Sequence, residues 1–237
     1  MVLFPKRLFQ ERFLNTSDCA SLTSLQHPKL GLIDYGMGNL HSVRKAFERF
    51  GHSIVDIHQP EDLETADALV LPGVGSFDPA MDNLQATGLI PDLKDWVKGG
   101  RPLLGICLGL QLLFENSEEG ERAGLGLLPG RIEKLPVQQG ERLPHMGWAP
   151  LKMVHKSPLL DHDDPEAWVY FVHSYAAHPS DSETLAATTS YGNVDITAMV
   201  WRGSVGACQF HPEKSSEAGA LLLQRWLNWL GQTSKPD

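Results

Sequence analysis

The chain has 237 residues, 20 Lys and Arg against 29 Asp and Glu, a net charge of −9 and 42% apolar residues. That length suits one large domain or two small ones, and a core of this size needs no disulfide or metal staple. The acidic balance, with no run of Lys or Arg longer than two, argues against DNA or RNA as a partner, because neutralised phosphates drive such binding; the composition is also too apolar for a disordered chain.

Residues 1–28 read as a loose extension. Lys6, Arg7 and Arg12 stand among scattered Phe and Leu, a polar Ser- and Thr-rich stretch follows, and no continuous apolar run marks a secretory signal. The organised domain is expected over residues 29–237. Residues 30–34 form a short apolar run ending in Tyr35-Gly36-Met37-Gly38-Asn39, the pattern of a buried strand. Residues 41–50 carry Val43, Ala46, Phe47 and Phe50 at helical spacing, with Gly51 where a C-terminal cap belongs. Further strands are expected at 53–57 and 68–71, the latter followed by Pro72-Gly73-Val74-Gly75. Helices at 79–86 and 92–98 precede a fourth strand, 103–106, which runs into Cys107 and a helix over 108–115. Such strand–helix alternation implies a parallel sheet covered on both faces.

The second half is richer in strands. Residues 130–135, 168–174 and 185–190 look extended, and 198–201 and 205–210 flank Arg202-Gly203-Ser204, a hairpin signal. An amphipathic helix over 216–230 ends at Gly231. The expected fold is one α/β domain: a mostly parallel central sheet flanked by helices, with an antiparallel second half.

Three widely spaced cysteines, Cys19, Cys107 and Cys208, fit a reducing cytoplasmic compartment better than a disulfide framework. No C-x-x-C occurs, and no metal or other cofactor is expected. The longest mostly apolar run, 102–114, is shorter than the ~20 residues of a membrane helix.

Gly105-Ile106-Cys107-Leu108-Gly109 is G-x-C-x-G between a strand and a helix, the nucleophile-elbow pattern with Cys in place of Ser. The tight turn requires small flanking residues, and a helix N-terminus stabilises a thiolate. The Leu108 amide then points toward an oxyanion formed on a substrate carbonyl. A nucleophile needs a base. His211-Pro212-Glu213 follows a strand, the residue before Pro is extended, and residues two apart on extended chain share a face. Glu213 can therefore orient the His211 imidazole.

GICLGLQ together with HPE resembles the class I glutamine amidotransferases, which use a Cys-His-Glu triad. The stretches YGMGN (35–39), PGVGSF (72–77), PHMGW (144–148), YFVHSY (170–175) and HPEKSS (211–216) further resemble the glutaminase subunits of imidazole glycerol phosphate synthases. The resemblance spans about residues 29–231, and the N-terminal extension departs from it. It implies that glutamine is hydrolysed to glutamate and that ammonia passes to a (β/α)₈-barrel cyclase subunit making imidazole glycerol phosphate and aminoimidazole carboxamide ribotide in histidine biosynthesis. A dry channel is needed there because ammonium is no nucleophile. The resemblance makes Cys107 the nucleophile, His211 the acid–base and Glu213 its orienter. It makes Gly73, Val74, Gly75 and Leu108 the oxyanion elements, and Gln111, Ser174 and Tyr175 substrate contacts. It places Asn39, Met146, Trp148 and Lys214, in loops, on the face that meets the barrel.

Other readings compete. Gly36–His41 resembles a dinucleotide turn with Asp56 downstream, but His41 stands where the third glycine belongs. His145, His173 and His178 lack metal-ligand spacing, and Cys208 reads as core. The alternatives in function are the amidotransferase subunit of another synthase, a stand-alone cysteine hydrolase, or a scaffold without chemistry. PHMGW and HPEKSS speak against the first two, and the intact Cys107, His211 and Glu213 against the third.

Overall fold

The computed structural model describes residues 28–136 and 142–233. The expected extension, apart from Pro28, and Cys19 within it lie outside the described residues. In chain order the first half runs β1 (Leu30–Ile33), α1 (Leu40–Glu48), β2 (Ile54–Ile57), β3 (Ala68–Gly73), α2 (Phe77–Ala86), α3 (Ile90–Lys98), β4 (Leu103–Cys107) and α4 (Leu108–Leu112). The second half begins with β5 (Asn116–Ser117), β6 (Gly130–Lys134), β7 (His145–Pro150), β8 (Lys152–Met153) and β9 (Trp168–His173). It continues with β10 (Tyr175–Pro179), β11 (Leu185–Tyr191), β12 (Val194–Arg202), β13 (Val205–Cys208) and α5 (Ser216–Thr233).

Eight strands form the central sheet in the order β2-β1-β3-β4-β13-β12-β11-β8. The pairs from β2 through β13 are parallel; those from β13 to β8 are antiparallel. Both faces are covered. On β3, Ala68 and Val70 join one core cluster with Phe47 of α1 and Trp226 of α5, whereas Leu69 and Leu71 join the other with Phe77 of α2 and Trp96 of α3. Near-continuous apolar strands are what burial on two faces demands. Two small sheets, β10-β6-β5 and β7-β9, flank the C-terminal ends of the parallel strands, where open α/β sheets hold their ligands.

Every strand and helix expected in the first half is present. The helix after Cys107, however, stops at Leu112 rather than at residue 115. The chain tightens there into i→i+3 bonds from Leu113 and Phe114 and then adds β5 to the small sheet by pairing with β6. Likewise α5 runs through Gly231 to Thr233. The strands β5, β7, β8 and β10 are additions to the expected list. β7 contains Gly147 and ends in Pro150, which read as breakers, yet it is held by continuous antiparallel register with β9 from His145↔His173 to Pro150↔Trp168.

Candidate active site

Cys107 is the last residue of β4, directly before α4. Its backbone adopts φ 56° and ψ −112°, a sparsely populated conformation costing about 1–3 kcal/mol. The surroundings hold it there. A Cβ on Gly109 would lie 1.8 Å from the Leu71 carbonyl oxygen, and one on Gly105 would lie 3.0 Å from the Gly109 oxygen. Gly109 is therefore a steric requirement of the G-x-C-x-G turn, and at Gly105 an added Cβ would be tight against backbone. Because α4 has only five residues, the dipole of a longer helix is absent, and the unpaired amides of one turn remain to face an anion.

His211 follows β13 in extended backbone. Its amide donates to the Tyr170 carbonyl at 3.0 Å. Its carbonyl accepts from Ser215 Oγ at 2.6 Å, and Ser215 Oγ in turn accepts from the Tyr170 amide at 2.9 Å. The turn is thus pinned twice to β9. His211 Nδ1 lies 2.8 Å from Glu213 Oε1, with the two side chains 3% and 2% exposed. A carboxylate only accepts, so Nδ1 carries the hydrogen. Burial by itself would push the His211 pKa down, but the neighbouring Cys107 and Glu213 outweigh it and raise the ring to about 9. His211 Nε2 makes no hydrogen bond within the protein, although Cys107 is close enough to act on the ring.

Cys107, Leu108 and His211 line one cleft of about 280 Å³, close to the lower end of the range for small-molecule sites. Val74 and Gly75 form part of its wall, together with Gln111, Ser174 and Tyr175. Gly73 lies behind that wall, in register with Cys107. A Cβ there would meet the Tyr35 hydroxyl at 2.5 Å and Leu108 at 2.9 Å. Tyr35 donates to the Pro72 carbonyl at 2.9 Å and so anchors the start of this segment. Burial, and after it the nearby Cys107, pushes the Tyr35 phenol up, so it keeps its proton. At Gly75 the chain turns with φ +101°, which glycine adopts without a Cβ penalty.

Gln111 spends both amide hydrogens inside the protein, on the Tyr175 carbonyl and on Gln209 Oε1, each at 3.1 Å. What it offers a ligand is therefore an acceptor, Oε1. The Tyr175 carbonyl accepts from Gln111 and from His173 Nδ1, so both its lone pairs are used. The Ser174 carbonyl accepts from the Leu135 amide.

The profile of the family "Glutamine amidotransferase class-I" matches residues 31–228. This chain belongs to that family. A curated relative, "Imidazole glycerol phosphate synthase subunit HisH" of Synechococcus sp. (strain CC9902), is 65% identical over 207 residues, covering 87% of this chain and 97% of the relative. Another, "Imidazole glycerol phosphate synthase subunit HisH 2" of Prochlorococcus marinus (strain MIT 9313), is 64% identical over 208 residues, covering 88% and 98%. A solved structure described as "Crystal structure of glutamine amidotransferase" superposes with a TM-score of 0.67 at 21% identity, over 86% of this chain and 98% of that one. At that identity the likeness concerns the fold. No helix among the described residues is long and apolar enough to cross a membrane.

In this amidotransferase the surroundings of Cys107 also contain groups that pattern reading misses. Glu119 is the carboxylate on its lining; Oε2 accepts from the Phe77 amide at 2.9 Å. Burial raises its pKa, the Phe77 bond lowers it and Asp78 raises it further, with a net rise. The acidic run 118–121 reads as solvated surface, so nothing local singles this residue out. Gln209 is fully buried, and its Nε2 approaches Cys107 Sγ at 3.9 Å. Its position two residues before His211 on extended chain is a signal that points to it.

Of the four residues expected on a partner face, Asn39 and Lys214 are exposed. Asn39 caps α1 through its side chain, which accepts from the Ser42 amide, and Lys214 lies in the single 3₁₀ turn after His211. Met146 and Trp148, expected in loops, instead lie on β7. They are two residues apart and so share one face, 62% and 48% exposed. Trp168 of β9, 49% exposed and opposite Pro150, extends that face. His145 and His173 bond directly to each other at 3.2 Å, while His178 stands apart beside Glu133. Asp56 pairs with Arg44.

Proposed function

We propose that this chain is the glutamine amidotransferase subunit of imidazole glycerol phosphate synthase, working in histidine biosynthesis through Cys107, His211 and Glu213. One observation carries the reading: a thiol on a strained turn and the histidine of a buried His–Glu pair, from elements distant in sequence, line the same cleft. The synthase context is supported by relatives at 64–65% identity over nearly their full lengths.

Cys107 passes its proton to His211, and its sulfur attacks the glutamine side-chain amide carbon. The oxyanion is met by the Leu108 amide and by the Gly73-Val74-Gly75 segment, whose peptide supplies a second donor. His211 then protonates the amide nitrogen as its bond to carbon breaks, so that it leaves as ammonia, and later activates water against the thioester. Glu213 holds the Nδ1–H tautomer and stabilises the imidazolium. Gln111 contributes its acceptor Oε1. Ser174 and Tyr175 wall the end of the cleft that takes the α-amino acid group, and Glu119 is the anion placed to take the α-ammonium.

The partner is the (β/α)₈-barrel cyclase subunit, docked on Asn39, Met146, Trp148 and Lys214. Two exposed large apolar side chains on one strand, beside a Lys, have the composition of a docking face. Two buried free thiols, Cys107 and Cys208, suit a cytoplasmic enzyme.

The test is a glutaminase assay of the chain alone and with the barrel subunit and its ribonucleotide substrate. The expected result is glutamate release that rises with the partner and feeds imidazole glycerol phosphate formation. Glutamine turnover that ignores the barrel, with no product made from glutamine, overturns the reading in favour of a stand-alone hydrolase.

A further inference from the structure

A continuous line of hydrogen bonds runs from β7 to the thiol. His145 of β7 and His173 of β9 face each other in register. Their Nδ1 and Nε2 atoms are 3.2 Å apart. His173 Nδ1 lies 2.8 Å from the Tyr175 carbonyl oxygen. That carbonyl can only accept, so Nδ1 carries the hydrogen, and in a neutral ring Nε2 must be the acceptor. His145 Nδ1–H is then the donor. Beyond the Tyr175 oxygen stands Gln111 Nε2, then Gln209 Oε1, then Gln209 Nε2 and Cys107 Sγ. The Tyr175 carbonyl can only accept, so Gln111 turns its Nε2 toward it, and what His173 fixes is where that carbonyl stands. Burial above all, and after the opposing Tyr175 bond also the nearby His145 and His211, hold the His173 pKa at about 3, so its ring is neutral at physiological pH.

We propose that His145 and His173 are positioning residues for the glutaminase site: they hold in place the Tyr175 carbonyl against which the Gln111 amide is set, and they tie that carbonyl to the strand that carries Met146 and Trp148. The proposal rests on the functional reading above. Met146 is adjacent to His145 in sequence, so a partner that shifts β7 alters the donor at the head of the line. A side chain buried at the second link of such a line has no slack, because interiors are close-packed. Coupling between docking and substrate binding then needs only that the partner favour one setting of β7.

The His145 ring stacks on Phe171 with centroids 5.0 Å apart. His145→Phe therefore keeps a ring there and removes the donor. In the complex with the barrel subunit, this variant should raise KM for glutamine roughly tenfold, with kcat changed less than about threefold. His145→Asn, whose side-chain N–H reproduces the imidazole Nδ1–H, should restore KM to within about twofold of the parent. Cys107 alkylation by iodoacetamide should match the parent in both, and the melting temperature should fall only by the few degrees that one unpaired buried ring nitrogen costs in His145→Phe. Parental KM in His145→Phe overturns the proposal, as does a joint fall in kcat, alkylation and melting temperature that Asn does not rescue. A measurement on the unsubstituted chain needs no variant to fold: long-range 1H–15N spectra should show His173 protonated at Nδ1 and bare at Nε2 near pH 7. An Nε2–H tautomer breaks the line and the proposal with it. A parental complex without glutaminase activity, with the Nδ1–H tautomer intact, would instead fault the functional reading.

Discussion

β4 and β7 approach the same cleft and are built on opposite terms. All five residues of β4 are buried, with neighbouring strands on both edges and core on both faces. β7 alternates between inward and outward positions and pairs with one strand only. At the end of β4 the backbone has no freedom: a single methyl at Gly109 would lie 1.8 Å from a carbonyl oxygen. On β7, Met146 and Trp148 stand in solvent. The difference teaches a division of work. The strand covered on both faces can hold the thiol of Cys107 on a strained turn at fixed geometry, and the half-covered ribbon leaves side chains in solvent while its inner face touches the site.

Four measurements break or sharpen that contrast. The largest effect is expected for Cys107→Ala, which should lower glutamine hydrolysis by about 10⁴-fold or more while the complex with the barrel still forms and still uses ammonium salts. Retained glutaminase activity would remove β4 from its role as carrier of the nucleophile. Next comes Gly109→Ala, where the added methyl has only backbone to displace. A loss of about 4 kcal/mol or more in denaturant unfolding is expected, and a near-native stability would show that the elbow is looser than its geometry.

The third concerns two histidines of the cleft that are shifted in opposite directions. His211, raised to about 9 against the pull of burial by Cys107 and Glu213, contributes stability that is present below its unfolded pKa of about 6.5 and lost as pH rises through about 9. His173, lowered to about 3 mainly by burial, binds its proton more readily when unfolded, so stability falls as pH drops below about 6.5. Unfolding free energy should therefore peak between these limbs. The alkaline limb should span up to about 3 kcal/mol, and Cys107→Ala should shrink it, whereas His173→Asn should flatten the acid limb. An unchanged pH profile in both variants would contradict these assignments. The smallest effect belongs to the exposed ribbon: Trp148→Ala should weaken binding to the barrel by about 2 kcal/mol, or some thirtyfold, with the melting temperature within about 2 °C of the parent. Calorimetric titration showing parental affinity would take Trp148 off the docking face.

The first half was legible because its signals are local. Short apolar runs at 30–34, 68–71 and 103–106 are punctuated by glycine turns, and α1 carries Val43, Ala46 and Phe47 at helical spacing. The G-x-C-x-G turn and the His-x-Glu pair stood out for the same reason: the residues of each motif are neighbours in sequence. The length of α4 was not legible, because Leu113 and Phe114 are as apolar as what precedes them and Glu115 is a good helix former, and the pairing of β5 with β6 decides where the helix ends. Nor was β7, whose Gly147 and Pro150 argue against a strand until β9 is laid beside it.

The sequence by itself determined the α/β class, the order of the parallel strands' elements, the thiol turn and the orienting pair at its histidine, all of which follow from contacts within a few residues. Only the tertiary structure decided that Cys107 and His211 share a cleft, that Glu119 joins them there with Gln209 buried behind Cys107, and that Met146 and Trp148 stand outward on a strand. It also decided that His145 and His173 bond across two strands. Those outcomes depend on packing between segments far apart in the chain, where each position is set by what the opposing segment leaves room for and which of its polar atoms still need a partner.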